Sequence, residues 1–133
     1  MNAASRKTVA AAAIAVGIAQ GAVWIVLCAA LIRLVPRFEK VFVEFNVELP
    51  DITKLLIVLS RVLAGYWFIA LAVILAWPFV NWGVVSLLSP SPEVAFPRRL
   101  WYVLTWLAPM LFAAFTVVAL FLPLSRLTAA LSG

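Results

Sequence analysis

The chain has 133 residues, 67% of them hydrophobic and 11% charged, with ten Lys and Arg against five Asp and Glu and no histidine. A domain of this size cannot hide so much apolar surface in its own core, so an ordinary water-soluble fold is excluded and lipid is the expected cover. The net charge of +5 points to anionic lipid headgroups and not to nucleic acid, because no basic patch interleaved with exposed aromatics occurs in a polar stretch.

The first apolar run, 9–32, follows Arg6 and Lys7 and ends at Arg33 without an internal charge. About 20 residues of helix cross a hydrocarbon core of about 30 Å, and backbone amides in lipid are satisfied only within their own helix, so a first transmembrane helix over about 9–34 is expected. It is longer than a signal-peptide core, which favours an uncleaved anchor. Ala13, Gly17 and Gly21 recur at every fourth position, with Gln20 beside them. Small residues on one stripe admit another helix closely and an amide can bond across to it, so these four are the candidate helix-packing residues. The partner of that face, this chain or another, stays open. Cys28, the only cysteine, reads as a small helix residue that forms no intrachain disulfide.

Beyond the first run, Phe38, Val41, Phe42 and Phe45 form an apolar stripe at i, i+3, i+4 and i+7 among Arg37, Glu39, Lys40 and Glu44. Pro36 suits the first turn of a new helix, so a short amphipathic helix is expected to start there and lie at the interface or on a partner. Asn46 is placed as a left-handed helix end, and Pro50 stops any continuation. Asp51 is then expected to cap a second helix with an apolar face of Leu55, Leu56, Leu59, Val62 and Leu63. The result is a protruding helical hairpin over about 36–62, with Phe38, Phe42, Phe45, Glu48 and Pro50 as candidate partner contacts.

The second apolar run, 62–88, also lacks charge, and its usable span lies between Trp67 and Ser86. A proline-rich turn over 89–97 leads to Arg98, Arg99 and Trp101, the candidate headgroup contacts. A third span of about 98–124 follows, Leu100 to Leu124 being its apolar run. Tyr66, Trp67, Trp77, Trp82, Trp101, Tyr102 and Trp106 read as interface anchors, and Pro78 and Pro109 as kinks within spans. The fold class is therefore an all-α integral membrane protein: a single domain of three transmembrane helices with a helical hairpin between the first two.

The segment 35–67 resembles the inner-membrane platform family of type II secretion and type IV pilus assembly (GspF/PilC). The likeness lies in Val35, Pro36, Phe38 and Phe42, then Glu48, Leu49, Pro50, Thr53, Leu56 and Ser60, then Tyr66 and Trp67. It covers about a third of the chain and leaves out that family's two soluble helical domains. It implies a related membrane scaffold in the bacterial inner membrane with a cytoplasmic N-terminus, although the raw count of Lys and Arg between the first two spans favours the reverse.

No P-loop, dinucleotide fingerprint, cysteine cluster or nucleophile elbow is present, and the usual general base is missing with histidine. Glu39, Glu44, Glu48 and Asp51 share a stretch with basic neighbours and read as a mixed-charge polar face. The serines and threonines have no base beside them and read as caps or helix-packing groups. No ionisable residue lies inside the spans, which disfavours a transporter or proton channel. The expectation is a non-enzymatic scaffold or accessory subunit without cofactor or metal, partnered by other membrane subunits and anionic lipids. The alternative is a stripped-down part of a secretion or pilus platform.

Overall fold

In the computed structural model, residues 2–88 and 95–133 are described, and among them every regular element is helical. The order is α1 (Ala3–Glu44), α2 (Asp51–Gly65), α3 (Trp67–Leu88) and α4 (Ala95–Ser132). α1, α3 and α4 are each long and apolar enough to cross a membrane.

α1 does not end near 34. It continues through Pro36 to Glu44, so no separate amphipathic helix starts at the proline. Leu31, Val35, Phe38 and Phe42 recur at helical spacing, and this stripe is buried or half-buried along its length. A break at Pro36 would interrupt that burial. The ring itself is exposed, so contacts on the opposite face outweigh the roughly 3 kcal/mol that an interior proline costs a helix. α1 ends where Asn46 adopts φ 56°. Val47 N–H bonds to the Phe42 carbonyl at 3.2 Å and Asn46 N–H to that of Val43 at 3.2 Å, the paired bonds of a Schellman end.

Pro50, not Asp51, is the N-cap of α2, and no side chain caps it. The Pro50 carbonyl accepts from Lys54 N–H at 3.0 Å, while Asp51 sits in the first turn, where a carboxylate complements the helix dipole. α2 stops at Gly65. Tyr66 leaves helical geometry at φ −117°, ψ 30°, and α3 begins at the next residue. The third helix thus starts at Trp67, and residues 62–65 of the second apolar run belong to α2. α4 starts at Ala95, three residues before the expected boundary, with Pro97 in its first turn where no backbone bond is lost. It runs on to Ser132. The turn expected over 89–97 falls largely on 89–94, outside the described residues.

The chain expected as one domain divides into two compact units, Met1–Ile25 with Phe68–Pro109, and Val26–Trp67 with Met110–Gly133. In the first, the early part of α1 packs with α3 and the start of α4. In the second, the later part of α1 packs with α2 and the rest of α4 around Leu31, Val35, Leu56, Ile57, Ala119 and Leu120. Both share one property: Gln20, Asn81, Thr53 and Ser60 are buried, whereas large apolar residues such as Val73, Leu75, Phe79 and Phe121 are exposed. In a water-soluble protein, exposed apolar residues are scattered and buried polar ones are few.

Candidate functional site

In the first unit, the small-residue stripe of α1 is filled by α3 of the same chain. A Cβ added at Gly17 would stand 2.7 Å from the Pro78 Cα, and one at Gly21 would stand 3.4 Å from Ile74 Cγ2 and 3.6 Å from the Ile74 carbonyl oxygen. Pro78 has no N–H to offer the Ile74 carbonyl four residues back, so α3 is weakened at that turn, and the two glycines let α1 lie against it. Ala13, the third stripe residue, is fully buried.

Polar side chains lock the same unit together. Gln20, wholly buried on α1, donates from Nε2 to Thr105 Oγ1 of α4 at 2.8 Å and accepts at Oε1 from the Trp77 indole of α3 at 2.7 Å. Asn81 on α3, also wholly buried, donates from Nδ2 to the Ala13 carbonyl at 2.6 Å and accepts at Oδ1 from the Trp101 indole at 2.7 Å. Each amide has a donor on one side and an acceptor on the other, so flipping either would set N–H against N–H. The Thr105 hydroxyl completes the chain by donating to the carbonyls of Trp101, at 3.0 Å, or Tyr102, at 3.1 Å. The two indoles, Trp77 and Trp101, stack with ring centroids 6.4 Å apart and planes inclined by 23°.

Trp101, expected as a headgroup contact, is half-buried, and its indole N–H is turned inward to Asn81. An amphipathic ring fits an interface or a buried amide equally well, and here the amide holds it. Arg98 is half-buried and Arg99 exposed. Asn81 is the residue that sequence reasoning undervalued. Its signal was available: a lone amide in an uncharged run of spanning length needs a partner on another helix.

The second unit uses hydroxyls. Thr53, buried on α2, donates to the Ala119 carbonyl of α4 at 2.7 Å. That carbonyl stands four residues before Pro123, which cannot supply the usual helical N–H, so the threonine takes the place of a missing backbone donor. Ser60, two turns further along the same face of α2, donates to the Leu31 carbonyl of α1 at 3.0 Å. Thr53→Val is expected to lower stability by about 1 kcal/mol, and by much less when Pro123→Ala restores the backbone donor to Ala119. A double-mutant cycle on detergent-solubilised protein checks this; additive effects would show that threonine and proline are not coupled.

Phe42 is fully buried within the chain, which leaves it no surface for a partner, and Phe38, half-buried, packs on the core of this unit with its ring 6.2 Å from that of Phe42. They face inward because the α1 stripe is continuous through Pro36. Phe45 stays exposed at 54%. Glu48 and Pro50 line an open cleft of about 460 Å³ with Asp51, Lys54 and Arg126. Arg61 of α2 pairs with Glu39 of α1, and Lys54 lies 3.9 Å from Asp51 as an exposed pair.

Among the described residues no group of three or more His, Cys, Asp or Glu could hold a metal. The arrangement as a whole binds helix to helix: its amides, indoles and hydroxyls are directed at one another or at backbone carbonyls. Comparison with family models, with curated proteins and with solved structures gives no match for this chain.

Proposed function

We propose that this chain is a small integral membrane scaffold, a non-catalytic accessory subunit packed in a larger membrane complex. The observation that carries the reading is the inverted polarity of both units. Buried Gln20, Asn81, Thr53 and Ser60 hold helices together, and large apolar side chains cover the outside of helices of spanning length. Lipid offers no hydrophobic drive between helices, so close packing at glycines and interhelical hydrogen bonds are the forces that remain. α1, at 42 residues, is about 63 Å long, twice the hydrocarbon thickness. It is therefore longer than a single straight crossing needs, and its charges resume at Arg33. In this reading the N-terminus is cytoplasmic, the membrane is a bacterial inner membrane, and Arg98 and Arg99 meet anionic headgroups.

The chain is expected to stay in the membrane pellet after an alkaline carbonate wash. After solubilisation in mild detergent it should migrate on native gels with other subunits, at a size well above one chain in its micelle. Release by carbonate would refute insertion, and migration as a solitary chain would refute the subunit role. A second reading, a reduced component of a secretion or pilus platform, rests on the likeness over 35–67. It requires pseudopilin-type or assembly-ATPase chains in the same particle, and their absence counts against it.

A further inference from the structure

α2 has a pattern that the protruding hairpin does not explain. Its inward face carries Thr53, Leu56, Ile57 and Ser60, and its two hydroxyls are bonded to carbonyls of α4 and α1. Its outward face carries Ile52, Leu55, Val58, Leu59 and Val62, with Leu55 61% exposed. At about 100° per residue these five fall within an arc of about 120°, where a helix in water would carry Lys and Glu. We propose that α2 is a fourth membrane segment, inserted into one leaflet without crossing it, with this outward face against the acyl chains of an anionic bilayer.

Charge placement supports the lipid as occupant. Lys54 and Arg61 are seven residues apart and share one border of the apolar arc, where long cationic side chains keep their stems in lipid and their heads at phosphate level. The remaining charges near α2, Glu48, Asp51 and Arg126, line the cleft at its N-terminal end together with Lys54. From Leu55 to Gly65 the one ionisable residue is Arg61, and it is paired with Glu39. Pairing lowers the cost of keeping that charge beside the acyl chains. At 15 residues α2 is about 22 Å long, too short to span a core of about 30 Å. Its link to α3 is the single non-helical residue Tyr66, so no polar loop separates it from a helix of spanning length.

The inference deepens the membrane reading and rests on it. Nitroxide labels at single cysteines replacing Leu55, Leu59 or Val62, and Val73 of α3 as reference, in a Cys28→Ser background, test both in vesicles of phosphatidylcholine and phosphatidylglycerol. Oxygen accessibility should exceed that to a water-soluble nickel chelate at all four positions. Preference for nickel at the three α2 positions, with oxygen still preferred at Val73, would place α2 in water and overturn the proposal alone. Shielding of the α2 labels from both reagents would mean that protein covers the face, and would also overturn it. Nickel preference at Val73 as well would bring down membrane insertion itself.

Discussion

Gly17→Ala is expected to destabilise the protein by about 1–3 kcal/mol, the range for forcing extra volume into a packed interface. The added carbon would stand 2.7 Å from the Pro78 Cα, a backbone atom that cannot swing aside as a side chain does. Gly21→Ala meets Ile74 Cγ2 at 3.4 Å, the end of a side chain able to adjust, and should cost less. Gly83→Ala enters open space and should be neutral or stabilising, since it removes only the entropy cost of a helical glycine. Reversible unfolding of the three variants in mixed micelles gives the order directly. Equal stabilities for Gly17→Ala and Gly83→Ala would mean that α1 and α3 do not pack as described. A practical consequence follows for any search for partners. Gly17→Leu would break the contact between α1 and α3 within the chain, so its loss from a complex would report unfolding and not a partner surface.

Asn81→Ala should have an effect of similar size. It leaves the Trp101 indole N–H without its acceptor and removes the side-chain bond to the Ala13 carbonyl. A buried donor left unsatisfied costs about 1–3 kcal/mol, more than the roughly 0.6 kcal/mol that an average interhelical hydrogen bond contributes in a membrane. A loss of about 2 kcal/mol is therefore expected. The variant also carries a spectroscopic signature, because Trp101 is fixed over Trp77 by the two amides. The circular-dichroism couplet of the stacked indoles should shrink in Asn81→Ala and survive in Trp82→Phe, whose ring is not in the stack. An undiminished couplet in Asn81→Ala would show that the amide does not position the ring.

The amino-acid sequence by itself determined the properties that repeat locally along one chain. Uncharged runs of spanning length, the small-residue period of Ala13, Gly17 and Gly21, and the turn at Asn46 and Pro50 were all legible, because each depends on neighbours within a few residues. Tertiary structure decided what those features meet. Pro36 could open a helix or sit inside one, and the continuous burial of Leu31, Val35 and Phe42 kept it inside. Trp101 and Phe42 carried chemistry that suits an outer surface, yet Trp101 turns its indole to Asn81 on another helix and Phe42 is fully buried. The closures that hold the units, such as Gln20 to Thr105 and Thr53 to Ala119, join residues 85 and 66 positions apart. No periodicity encodes such a pair, since an amide or hydroxyl in an apolar run announces only its need for a partner. Which group answers it depends on how the helices come together in space.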